Sequence, residues 1–157
     1  MADINQSIAL TLRNEGGFVD NPNDKGGATN MGIEQRDLPD INIRDLTIAQ
    51  AVAYYQENYW KPWMTKIPSQ AVCNKIFDMS VLLGIGAAVR LLQRALGFST
   101  SAQDGNYGPE TENAVNEAGE GVLAPYKTAL AAHFQWIAQQ NTSQKIFLDG
   151  WLRRVNS

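Results

Sequence analysis

The chain has 157 residues, enough to bury its own core without disulfides or structural metals. Apolar types make up 44% of it and charged types 18%, the composition of a folded globule, and a net charge of −3 gives no bulk electrostatic case for gripping a nucleic-acid backbone. One cysteine, Cys73, permits no internal disulfide, and one histidine, His133, leaves a histidine-based metal cage short of ligands, so zinc amidase and zinc peptidase chemistry is disfavoured and no metal or cofactor is expected. Nowhere do about 20 apolar residues follow one another. The opening MADINQSIALTLRNEGG lacks a basic stretch followed by an unbroken apolar run, so neither membrane insertion nor a standard secretion signal is expected.

In chain order, Asp3 with Gln6 forms a capping-box pattern, and Ile4, Ile8 and Leu12 recur at helical spacing up to Gly16-Gly17, predicting a first helix from Ile4 to Glu15. From Gly16 to Asp45 the turn chemistry is continuous (NPNDKGG, NMG, a Pro-Asp pair), with room for at most a short hairpin. Thr47 with Gln50 opens a second helix carrying Ile48, Val52 and Tyr55, closed by Pro62. A third runs from Gln70 through Ile76, Met79 and Leu83. Gly84 and Gly86 break it, and Ala87 to Leu96 forms a fourth. Pro109 suits a first helical position, with Gly119 as the stop. A long helix follows Pro125 with Tyr126, Leu130, Phe134 and Ile137 on one side, and Ser143 caps a last one bearing Ile146, Phe147, Trp151 and Val155. The expectation is one mainly α domain over residues 1–157, of six or seven helices, with subregions 1–84 and 85–157 meeting near Gly84.

Glu15 continues the Ile4, Ile8, Leu12 stripe, a carboxylate where a hydrophobe is expected. Burial and the negative end of the helix dipole both favour its neutral form, the one a general acid needs. A solvated Glu paired with a neighbour such as Arg13 is the competing reading. Eight residues separate Glu15 from Asp24, and four separate Asp24 from Thr29. Two carboxyl groups and a hydroxyl suit glycoside hydrolysis: one protonates the leaving oxygen, the second stabilises the oxocarbenium ion or activates water, and the hydroxyl positions that water. Asp20 is a rival second carboxylate, and Asp and Thr in a Gly-rich loop are also ordinary turn formers.

The stretch EGGFVDNPNDKGGATNMGI resembles the EGGY…DPxDxGGxTxxGI signature of glycoside hydrolase family 108, phage and bacterial muramidases of lysozyme-like fold. Glu15-Gly16-Gly17 aligns with the catalytic Glu, and Asn21-Pro22-Asn23-Asp24, Gly26-Gly27, Thr29, Gly32 and Ile33 follow in order, with Phe18 at the usual Tyr. The spacing is also similar to the Glu-x8-Asp/Cys-x5-Thr triad of phage lysozymes, one residue shorter before Thr29. Downstream, IFDMSVLLG, LLQRALG, DGNYGPET and FLDGWLRR are similar to the peptidoglycan-binding region paired with this catalytic module. Leu82 stands where the family often has Asn in an Asp-x-x-x-Asn run.

The resemblance implies a lysozyme cleaving the β-1,4 bond between N-acetylmuramic acid and N-acetylglucosamine, with Glu15, Asp24 and Thr29 catalytic and Asp20 and Asn30 in the substrate site. A lytic transglycosylase with Glu15 as sole acid and base, and a non-catalytic wall-binding module, are the alternatives. Trp60 and Trp63, beside Tyr59 and Pro62, are sugar-stacking candidates or core. Trp136 and Trp151 fall on helix stripes and are expected in the core. Cys73 and His133, both in apolar helix patterns, are expected to be a buried thiol and a helix-face histidine rather than a peptidase pair. The partner is then a peptidoglycan strand and the protein a monomer. Made in the cytoplasm, it is expected to reach the wall through a holin, lysis or a secretion machine, as a phage or prophage endolysin does.

Overall fold

The computed structural model describes residues 1–20 and 27–157. Its helices are α1 (Ile4–Glu15), α2 (Ile48–Tyr59), α3 (Gln70–Leu83), α4 (Ile85–Ala95), α5 (Pro109–Ala118), α6 (Leu123–Gln140) and α7 (Leu148–Asn156). Two short strands, β1 (Thr29–Asn30) and β2 (Ile33–Glu34), pair antiparallel with Thr29 opposite Glu34 and Asn30 opposite Ile33. Met31 and Gly32 between them both have positive φ, +50° and +76°, as a two-residue type I′ turn requires. Val19 bridges to Thr29 through two 2.8 Å hydrogen bonds, which lays the segment after α1 alongside the hairpin.

The mainly α, lysozyme-like fold is organised around α3. Val72, Cys73 and the whole run Lys75 to Ser80 are buried in it, so this helix is covered on all sides, with α1, α4, α2 and α6 packed against it. Ser69 caps it, and Gly84 ends it at φ +86°. Gly86 breaks nothing: it lies inside α4, which starts at Ile85, so Gly84 alone separates the two helices. Thr47 and Gln50 form the full capping box of α2. At α1 the box is split, because Asp3 accepts from Asn5 N while the Asp3 N–H donates to Gln70 Oε1 of α3 at 2.6 Å.

The last third differs from the sequence expectation in three places. Pro125 sits within the first turn of α6 rather than before it, where no intrahelical N–H bond is lost. Asn141, not Ser143, caps the next segment, and Ile146 and Phe147 lie in a tight 3₁₀ turn (Thr142–Phe147) before α7 begins. Trp136 is 56% exposed, stacked on His133 instead of in the core, because the buried stripe of α6 runs through Tyr126, Leu130, Phe134 and Ala138. Trp151 does pack inward, its ring 5.0 Å from Phe134. The DGNYGPET segment wraps a buried amide: Gln93 Nε2 donates to Asp104 Oδ1, Asn106 O and Thr111 Oγ1, and its Oε1 accepts from Gly105 N.

Candidate active site

Ser7, Thr11 and Glu15 lie four residues apart on α1 and so share one face. Ser7 Oγ donates to Asn74 Oδ1 at 2.8 Å and Thr11 Oγ1 to Asp78 Oδ1 at 3.0 Å, two rungs of a polar ladder between α1 and α3. This face refines the sequence reading: Glu15 continues the Ser7–Thr11 line beside the fully buried Ile8, while Ile4 and Leu12 are only half-buried. The next step of the same register falls at Leu82, which offers Glu15 no hydrogen bond.

The partner comes from α7 instead. Arg154 Nη2 lies 2.5 Å from Glu15 Oε1 and 3.0 Å from Asp78 Oδ1, and Arg154 Nε donates to Asp78 Oδ2 at 3.0 Å. The side chains are 16% (Glu15), 11% (Arg154) and 0% (Asp78) exposed. Asn14 Nδ2 also donates to Asp78, so that buried carboxylate is fully engaged. Burial works against the Arg154 charge, and Asp78 and Glu15 more than offset it. Sequence reading weighed burial and the helix dipole at Glu15 and missed this cation. One signal was available: Asp78 interrupts the apolar IFDMSVLLG run, and a carboxylate buried there needs a cation.

On its other side Glu15 meets the hairpin turn. A Cβ at Gly32 would stand 2.5 Å from Glu15 Oε2 and 2.7 Å from the Tyr55 hydroxyl, so only glycine lets the turn come this close. Tyr55 Oη donates to Met31 O at 2.7 Å and fixes the turn. Burial, then the nearby Glu15 charge, push the Tyr55 hydroxyl far above its ordinary range, so it remains a donor. The Arg44 guanidinium, 4.3 Å from the Phe18 ring centre, pins the segment after α1.

Among the other expected site residues, Thr29 is half-buried on β1, beside the turn that touches Glu15. Its cross-strand neighbour Glu34, a carboxylate sequence reading did not weigh, pairs with Arg36 at 2.6 Å. Asp20 is exposed just beyond the Val19 bridge, and Asp24 lies outside the described residues. Asn30 is buried and its Nδ2 donates to Ile43 O at 2.9 Å and Arg44 O at 3.4 Å, which braces the turn at Ile43–Asp45. Trp60 packs on Phe77 and Trp63 stacks on Tyr107 at 4.0 Å, so each indole has a protein ring against it. Cys73 is buried with its thiol pushed up to about 11 by burial, and His133, also partly desolvated, stacks on Trp136, so the two share no site.

A helical core, a short hairpin and a carboxylate at the end of the first helix define a lysozyme-like glycoside hydrolase. Residues 8–84 match the family model Glycosyl hydrolase 108, and residues 87–156 match Predicted Peptidoglycan domain. A solved structure of SagA from Brucella abortus is similar over 98% of this chain and 89% of that one, at 30% identity and a TM-score of 0.75. Comparison with curated proteins returns no match. The chain belongs to the glycosyl hydrolase 108 family and is a peptidoglycan hydrolase. Among the described residues no helix is long and apolar enough to cross a membrane.

Proposed function

We propose that the protein is a lysozyme that cleaves the β-1,4 bond between N-acetylmuramic acid and N-acetylglucosamine, with Glu15 as general acid. The observation that carries this reading is the confinement of the Glu15 carboxyl between Arg154 and the Gly32 turn. A general acid must be held to the leaving oxygen within a fraction of an ångström, and here both flanks of the carboxyl are fixed by the fold. Asp78, fully buried, holds Arg154 through two hydrogen bonds, and Arg154 in turn orients the Glu15 carboxyl. Thr29 serves to position water, and Asp24 keeps the second-carboxylate role that the family resemblance implies.

Mass spectrometry of digests of purified peptidoglycan in ¹⁸O-water tests the reaction. Reducing-end muramic acid carrying one ¹⁸O is expected. Anhydro-muramic ends would replace hydrolysis by transglycosylation, and cut stem peptides with intact glycan would remove the glycosidase reading. Glu15→Gln keeps the shape of the side chain but has no proton to give, and activity is expected to fall about 10³-fold. Activity within a factor of about ten of the parent would exclude Glu15 as the acid. We further infer, on the family resemblance alone, a bacteriolytic endolysin of phage or prophage origin, made in the cytoplasm as a monomer and released to the wall by a holin, lysis or a secretion machine.

A further inference from the structure

Arg154 also lines a cavity of about 480 Å³ together with Arg13, Asn14, Leu82, Trp151 and Arg153. Three guanidinium groups from α1 and α7 thus meet in one hollow of a chain whose net charge is −3. Arg154 is matched by Asp78 and Glu15, whereas Arg13 and Arg153 make no ion pair among the described residues. The negative end of α7 is answered elsewhere, since Lys75 Nζ donates to Arg154 O at 2.7 Å and to Ser157 O at 3.1 Å. The hollow therefore holds positive charge in excess, with Leu82 and Trp151 as an apolar wall.

Arginine forks match planar carboxylates two bonds at a time. Because Arg154 both lines the cavity and bonds Glu15, the cavity adjoins the Glu15 site, within reach of groups carried by a polymer held there. The repeating sugars of peptidoglycan are uncharged around the scissile bond. Its anionic groups hang on the peptide joined to the lactyl group of muramic acid, where carboxylates alternate with alanyl methyl groups. We propose that the Arg13–Arg153–Arg154 cavity is a subsite for a stem-peptide carboxylate, the methyl groups lying on Leu82 and Trp151, so that the enzyme selects peptide-bearing over bare glycan. This rests on the reading of Glu15 as the point of glycan cleavage.

Two measurements test it. A free tetrapeptide stem (Ala, Glu, a diamino acid, Ala), which has no glycosidic bond to cut, is titrated into the parent protein while the indole N–H resonance of Trp151 is followed, assigned with Trp151→Phe. A saturable shift is expected that is tighter than that given by inorganic phosphate and is abolished in Arg13→Ala/Arg153→Ala. No shift, or phosphate binding at least as tightly, overturns the proposal. In the second, kcat/KM is compared for peptide-bearing glycan and the same glycan stripped by an amidase. The double variant, its fold checked by circular dichroism, is expected to lower the preference for peptide-bearing glycan by at least about tenfold, the loss that one charge-assisted hydrogen bond alone would give, and Arg153→Glu to lower it too. An unchanged preference overturns the subsite. Peptide binding by a protein that cuts neither glycan would instead defeat the Glu15 reading and leave the subsite standing.

Discussion

Gly32→Ala isolates the positioning of Glu15 from its chemistry. The new Cβ would stand 2.5 Å from Glu15 Oε2 and 2.7 Å from Cδ, where ordinary contact begins at 3.4 Å, so the carboxyl must retreat by about 1 Å. Retreat is opposed on the other side by Arg154, itself locked to Asp78 through two bonds. A displacement of this size at a reacting group costs about 10²-fold in rate, and alanine at φ +76° adds about 1–2 kcal/mol of backbone strain. Gly27→Ala supplies the control. It meets the same backbone cost at φ +78°, but its nearest neighbour among the described residues is Gln35 Cβ at 4.0 Å, and Glu15 is not within 4 Å of it. Urea denaturation should show both variants losing about 1–2 kcal/mol. Turnover of a soluble glycan oligomer should fall about 10²-fold in Gly32→Ala and stay close to the parent in Gly27→Ala. Equal turnover in the two variants would refute the argument that the turn places the acid.

Arg154→Met leaves Asp78 buried without its hydrogen-bonded cation and should cost about 3–5 kcal/mol in urea unfolding, with loss of glycan cleavage; a loss below about 1 kcal/mol would deny the pair its structural role. Burial pulls the Lys75 ammonium down from 10.5 to about 8, with Asp78 opposing. The unfolded chain then holds more protons between those values, so Lys75 adds stability as pH rises from about 8 to 10.5 and loses it as pH falls back. The parent should gain at most about 3 kcal/mol on Lys75→Met across that window, a difference in which the opposing titration of Cys73 cancels; a gap flat in pH would refute it. Cys73, buried with its thiol pushed up to about 11, should resist alkylation in the folded protein, as intact mass after iodoacetamide will show, and rapid modification would contradict that burial.

What was legible in the sequence is what short-range chemistry encodes. The Thr47–Gln50 box, Pro109 at its first position, the Gly84 and Gly119 stops and the Met31-Gly32 turn are each decided by a few neighbouring residues. Gly86 misled because a glycine near a helix start is tolerated once the preceding residue has made the break. Trp136 misled because an 18-residue helix has more apolar positions than its buried face can use. The bonds from Asn30 to the backbone carbonyls of Ile43 and Arg44 reach 13 and 14 residues along the chain, too far for a local pattern to signal. At the site, Glu15 was visible from its motif and helix position. Its contact with Arg154 spans 139 residues, signalled only by the carboxylate of Asp78 inside an apolar run, and the ladder that exposes Leu82 as a missing rung exists only once α1 and α3 lie side by side.

The acid on the first helix takes its counter-ion from the last, and this bears on how far the chain can be divided. Glu15 and Asp78 belong to the segment matched by the hydrolase family, and Arg154 to the segment matched as a peptidoglycan domain. A chain folded only through α6 would hold Asp78 at the centre of the core with no hydrogen-bonded cation, a state costing several kcal/mol, so docking of α7 is expected to be coupled to closure of the core around α3. Catalytic geometry and global stability thus depend on the same contact, made between opposite ends of the sequence. Cleavage at Gly84 is therefore expected to yield two pieces that need each other, not an enzyme and a detachable wall anchor.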